Sequence, residues 1–372
     1  MHLLETDAAE GVPEGFLELP ASLYAEDPAW TPEEPAGVRG AFSGANPWFA
    51  SGTARAFCIP GLARAAAFHQ PALRIDGEPV AYFGYFETSG HPAADEALMA
   101  RVVEWAGRQG ARVLYGPVNF STAFIYRLRL SAEPGAGAYF GEPYNLPGYP
   151  ARLERLGFRL HLRYLTQRVP AERALLARDE RRVDLERAVG RGYRFRALTR
   201  EQWLAHAGEL CELTNTAFAR NFGFTPLPAS MFRAHFAGVV SRLCPVGSVA
   251  AFGPGGDIAG AYVLIPDYSP LTAQRAGAAR VPASQVSYDR HLPALARQRP
   301  LSCVFKTVAV SPRHRQRGLS GALMISALDQ AGGLYDSWSV ALVREDNFSR
   351  RFFEEVEGDP RWYGLYSRRL RS

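Results

Sequence analysis

Lysine is almost missing from this chain: of its 42 basic side chains only Lys306 is a lysine, and the rest are arginines. Cysteine is scarce too. Cys58, Cys211, Cys244 and Cys303 are scattered and form no Cys-x-x-Cys pair, so neither a structural zinc site nor a disulfide framework is expected, and a reducing cytoplasm suits the chain. No apolar run approaches the length of a membrane span, and the opening residues lack the basic end and apolar stretch of a secretory signal. Charge is sparse at 21%, and the net charge of +5 is spread among interleaved acids. No continuous basic face or stacking-aromatic module is present, so nucleic acid is not an expected partner. Excess charge of this size suits an anionic small molecule or an acidic carrier protein. A Gly-Lys-Ser/Thr phosphate loop and a three-glycine dinucleotide fingerprint are also missing.

What the chain does have is apolar material, 47% over 372 residues, enough for two or three packed domains. Strand-like segments at 54–59 and 72–75 lead to Asp76-Gly77, a hairpin turn, and then to a buried strand at 80–87. A helix over 93–107 carries Leu98, Val102 and Trp105 on one stripe. A strand at 113–118, a long loop over 119–146, a short helix over 150–156 ended by Gly157, and a strand at 158–169 complete a first unit. A charged helix over 171–189 joins it to a second, with helices at 201–218 and 229–240 and a hairpin around 253–257. A loop at 270–300 follows, and then strand 303–310, helix 319–330, strand 334–343, helix 348–357 and strand 362–370. The shared rhythm of the halves suggests duplicated α/β domains, each with a mixed sheet and a right-handed crossover. The expected division is residues 1–170, a linker helix at 171–190, and residues 191–372.

One segment carries chemistry. Strand residues Val308, Ala309 and Val310 run into Ser311-Pro312 and then into a turn, Arg313-His314-Arg315-Gln316-Arg317-Gly318, before a helix opens at Leu319-Ser320-Gly321. A helix N-terminus offers unpaired N–H groups and a partial positive charge, which suits phosphate. Gly318 lets the backbone approach closely, Ser320 adds a hydroxyl, and the arginines add charge.

This segment resembles motif A of the GNAT superfamily of acyl-CoA transferases, with Arg315 and Gly318 at the pattern positions and Ser320 where glycine or alanine is usual. The resemblance implies an acetyl-CoA or other acyl-CoA donor, with acyl-carrier protein as an alternative source of the same phosphopantetheine. It implies no metal. The implied donor site comprises Val308, Ala309, Val310, Arg315, Gln316, Arg317, Gly318, Leu319, Ser320, Gly321 and Asn347. Asn347 stands where such proteins contact the pantetheine arm, and an asparagine there also caps a helix. The implied reaction is direct attack of a small-molecule amine on the thioester; an acyl-CoA sensor without turnover is the rival, and transfer to a peptide or aminoacyl acceptor is a further one.

The acid and base that many such enzymes use, a glutamate on the strand before motif A and a tyrosine on the last helix, have no counterpart here. The strand holds Lys306 instead, and Phe353 and Glu354 stand near the tyrosine position. Lys306 either lines the slot as a desolvated amine or reaches out to water. Tyr363 and Tyr366 are the phenols able to turn inward.

The whole chain is similar to bacterial tandem GNAT-like proteins at Asp27-Pro28-Ala29-Trp30, Asn46-Pro47-Trp48-Phe49, residues 116–122, Pro143-Tyr144-Asn145, Tyr149-Pro150, Trp338 and Glu345-Asp346-Asn347. In the first half Ser89-Gly90-His91-Pro92 replaces motif A, so that half is expected to bind no coenzyme A and to shape the acceptor pocket. Asn119, Ser121, Thr122, Tyr144 and Asn145 are its candidate acceptor residues, and equally ordinary turn formers.

Overall fold

Tight turns decide which apolar stretches pair. In the computed structural model, which describes residues 2–130, 137–315, 317–347 and 360–370, Asp76 and Gly77 both take left-handed backbone (φ 52° and 79°). A two-residue hairpin needs this, and it joins β3 (Ala63–Ile75) to β4 (Glu78–Thr88). β3 starts earlier than its β-branched residues suggest, because the alanine-rich run Ala63–Ala67 pairs with β2 (Thr53–Ile59), itself paired with β1 (Leu4–Asp7). α1 (Pro92–Arg108) then crosses over to β5 (Val113–Gly116), parallel to β4. Leu98, Val102 and Ala106 give α1 its buried face, and Trp105 lies at the edge of that face.

The second half repeats this order. β8 (Arg194–Ala197), β9 (Val249–Phe252), β10 (Ile258–Pro266) and β11 (Ser302–Val310) form an antiparallel meander. The Leu319–Ala331 helix crosses over to β12 (Ser337–Arg344), parallel to β11.

The closing strands change places. β7 (Arg159–Pro170) ends the first half but pairs with β12 of the second. β13 (Arg361–Arg369) ends the chain but lies between β7 and β5, and it also pairs with the two-residue β6 (Leu128–Arg129). One 13-stranded sheet therefore runs through both halves.

Three expectations differ from the structure. The 171–189 helix is two, α2 (Ala171–Glu180) and α3 (Arg182–Gly190), because Arg181 leaves helical backbone at φ −105° and ψ 10°. The Leu319–Ala331 helix is α4 in this numbering. The 201–218 helix breaks likewise at His206, and the 270–300 loop contains a helix, Tyr288–Ala296, that buries Tyr288, His291 and Leu295. The helix expected at 348–357 lies outside the described residues.

Candidate functional site

β11 and β12 run parallel through four paired residues, Ser302↔Ser337 to Phe305↔Val340, and then part. Phe305 stacks flat on buried Trp338 (4.9 Å, 10°), which fixes the point of parting. Beyond it β11 stays on β10, with a bulge that leaves Lys306 as the extra residue. A bulge re-aims side chains. β12 stays on β7, and after it Glu345 N–H donates to Arg163 O (3.0 Å) instead of returning to β11. The parted strands enclose a cavity of about 250 Å³.

α4 opens beside this cavity. Gly318 is its N-cap, in left-handed backbone (φ 70°). Gly318 and Ser320 are exposed, as are Arg315 and Arg317, while Leu319 is buried in the core. Arg315 donates to Ala217 O (2.8 Å) and Arg317 to the Tyr193 hydroxyl (3.5 Å), so both hold their charge near the turn with neutral partners. His314 is structural, bridging the Tyr193 hydroxyl (2.8 Å) and Asp257 Oδ2 (3.0 Å). The turn thus presents an exposed helix N-terminus with surrounding positive charge, the arrangement an anion needs. Gly321 has another use: a Cβ there would lie 2.8 Å from Asp184 Oδ2 of α3, so its absence lets α3 cross α4 closely. Asp184 itself is neutralised by Arg181 (3.0 Å). Gln316 lies outside the described residues.

The cavity gathers residues from both halves. Lys306, Val308, Ser320 and Asn347 line it. Ala309 is buried in the sheet, and Val310 ends β11 opposite Gly260. Lys306 Nζ donates to Gly141 O (3.4 Å). Burial holds its ammonium below the usual lysine range, opposed by Glu142 and reinforced by Arg127. Tyr126, Arg127 and Tyr164 enter from the first half. Arg127 lies between two phenol rings, 3.5 Å from the centroid of Tyr126 and 3.9 Å from that of Tyr164. Sequence reasoning missed this trio. Its one local signal was the charged stretch in the long 119–146 loop.

No family model matches the chain. Protein YghO of Escherichia coli (strain K12) is 24% identical over 235 residues, covering 58% of this chain and 56% of that protein. The chain thus matches little more than half the length of that relative. A tandem GNAT protein from the clavulanic acid biosynthesis pathway superposes with a TM-score of 0.54 at 16% identity, covering 100% of this chain and 99% of that one. A GCN5-related N-acetyltransferase from Anabaena variabilis gives a TM-score of 0.52 at 10% identity, over 100% of this chain and 73% of that one. The chain has the tandem GNAT fold.

The two GNAT-like halves treat the same feature differently. In the first, β4 and β5 also part, after Tyr82↔Tyr115. The chain leaving β5 turns straight into that gap: Val118 N–H donates to Phe83 O (2.7 Å), and Asn119 Oδ1 accepts from Tyr85 N–H (2.9 Å). Gly84 makes room, since a Cβ on it would lie 2.4 Å from both Asn119 Oδ1 and Val118 O. Phe120 pins the plug among Trp48, Phe68 and Phe42 at ring distances of 5.3, 4.5 and 5.3 Å. The Asn46-Pro47-Trp48-Phe49 and 116–122 motifs therefore build a closed gap in the first half.

The five candidate acceptor residues are occupied elsewhere. Asn119 sits in the plug. Ser121 Oγ accepts from Ala123 N–H (3.3 Å), and Thr122 donates to Gly223 O (3.1 Å). The Tyr144 hydroxyl donates to Asp27 (2.6 Å). Asn145 is held by the Arg129 backbone, accepting at 2.7 Å and donating at 3.2 Å. None of the five lines the cavity.

Of the two candidate phenols, Tyr366 is buried on the α1 face of the sheet, in a cluster with Leu98 and Phe158. Tyr363 is fully buried and donates to Glu142 Oε2 (2.7 Å). Glu142 also accepts from Arg361 (2.9 Å) and from Thr166. This buried Glu142 cluster, invisible in sequence, stands behind Lys306. Among the described residues no group of three or more His, Cys, Asp or Glu side chains could hold a metal, and no helix is long and apolar enough to cross a membrane.

Proposed function

We propose that this protein is an N-acyltransferase that takes an acyl group, typically acetyl, from coenzyme A and passes it to an amine held in the cavity between β11 and β12. The observation that carries this reading is the open parting of those strands beside the exposed Gly318 turn. The residues fit the donor. The Gly318 and Ser320 end of α4, with Arg315 and Arg317, would hold the diphosphate, and the free edge of β11 with Asn347 would hold the pantetheine arm. The plugged half supports the same edge. Counted from the last paired residue, Phe83 and Tyr85 correspond to Lys306 and Val308, and the plug uses the C=O of the first and the N–H of the second. When bound, the donor supplies an acyl thioester.

The chain's own contribution is positioning. Lys306 lines the cavity and would anchor the acceptor there. Phe305, Tyr262 and Met324 give the slot an apolar wall. Phosphopantetheine on an acidic carrier protein would present the same arm, and the net charge of +5 suits such a carrier.

A second reading, an acyl-CoA sensor, is favoured by one observation: among the described residues no carboxylate base lines the cavity. Thiol release from acetyl-CoA across a broad panel of amines separates the two. Turnover with any amine supports the transferase, and binding of acetyl-CoA with silence across the panel supports the sensor.

A further inference from the structure

The cavity is unusual in its charge. Arg127, Lys306 and Arg344 line it, and among the described residues no Asp or Glu does. Arg344 is paired with Asp346. Lys306 donates to a carbonyl, Gly141 O. Arg127 forms no ion pair with an acid among the described residues. Its guanidinium is held by the Tyr126 hydroxyl and by the two rings that sandwich it, and its Nε is buried with no hydrogen-bond partner among the described residues. The nearby Glu142 is already engaged by Tyr363, Arg361 and Thr166.

Two cations placed in one cavity repel each other, and a buried N–H without an acceptor costs free energy. The backbone adds to that cost. Arg127 and Leu342, both in the cavity wall, have left-handed φ values of 87° and 57°. Such strain in non-glycine residues persists where the surroundings enforce it, and it gathers at ligand clamps. Here Arg127 N–H donates to Pro117 O (2.9 Å) and Leu342 N–H to the Thr166 hydroxyl (3.1 Å). The result is a rigid guanidinium fork, stacked between two rings, in the wall of a small cavity that Lys306 also lines. That geometry matches a planar carboxylate.

We propose that the cavity binds a carboxylate on Arg127 and Lys306, so that the transferred pair includes a carboxylate-bearing molecule: an amino-acid-like acceptor, or an acyl group that ends in a carboxylate. Its role as half of a reacting pair rests on the acyl-transfer reading; the carboxylate site does not.

The test is a calorimetric titration of the full chain with succinate and with its neutral diamide. Succinate binds saturably and the diamide does not. Arg127→Gln raises the succinate dissociation constant by roughly tenfold or more, the loss expected for a charge-assisted pair. Lys306→Met, in the same cavity, weakens succinate as well and serves if the Arg127 variant does not fold. Absence of saturable succinate binding, or equal affinity in wild type and variants, overturns the proposal. Two further arms locate the carboxylate. Faster thiol release from acetyl-CoA with glycine than with glycinamide places it on the acceptor. Tighter binding of succinyl-CoA than acetyl-CoA places it on the donor. Because succinate needs no thioester, failure of acetyl-CoA to bind would sink the transferase reading and leave this result standing.

Discussion

Gly84→Ala is the sharpest perturbation of the closed first half. A methyl group at Gly84 would lie 2.4 Å from Asn119 Oδ1 and from Val118 O, and 2.8 Å from the Val118 carbonyl carbon. Two of these three atoms are backbone, so no flexible side chain can give way. The plug must move, and with it the Val118 N–H to Phe83 O and Tyr85 N–H to Asn119 bonds (2.7 and 2.9 Å). Overpacking in a filled site costs about 1–3 kcal/mol and each lost hydrogen bond about 0.5–1.5 kcal/mol, so the total is about 2–6 kcal/mol. Phe120, anchored among Trp48 and Phe68, resists the shift. Urea denaturation followed by tryptophan fluorescence measures the loss as a lower midpoint. A variant that unfolds at the wild-type midpoint would refute the reading of residues 117–119 as a tight plug.

Two further outcomes are expected. Glu142→Ala leaves Arg361 and the Tyr363 hydroxyl buried without their acceptor, and removing one partner of a buried pair costs about 3–5 kcal/mol; an unchanged denaturation midpoint contradicts this. Burial pushes the Glu87 carboxyl up to about 7, with Arg64 and the Tyr149 hydroxyl opposing the rise. The folded chain therefore keeps a proton that the unfolded chain releases above the ordinary value of 4.5. The resulting stability is full below that pH and is lost as pH rises through about 7. The stability of wild type relative to Glu87→Gln should fall as pH rises across that window, and a constant difference shows that Glu87 does not titrate there.

Much of the second half was legible because its signals are local. The hairpin at Gly253–Asp257, the strand into Ser311-Pro312 and the glycine opening α4 are each set by a few neighbouring residues. The Arg-rich turn was readable as the exposed start of a helix for the same reason. The exchange of β7 and β13 was not readable, since periodicity defines a strand and says nothing of its neighbour. The plug was hidden for a related reason. Val118 and Asn119 look like ordinary loop residues until Phe83 and Tyr85 are brought beside them. Arg127 gave no signal beyond its place in a charged loop stretch, because the Tyr164 ring it stacks on lies on a distant strand, β7.

The proposed function rests on one strand parting that is open and one that is plugged, and the stoichiometry of acetyl-CoA binding reads both at once. Calorimetric titration of the full chain should give one acetyl-CoA per chain, and Gly318→Glu, which puts a carboxylate at the proposed diphosphate position, should abolish it. Two sites per chain, no binding at all, or undiminished binding to Gly318→Glu would contradict the account.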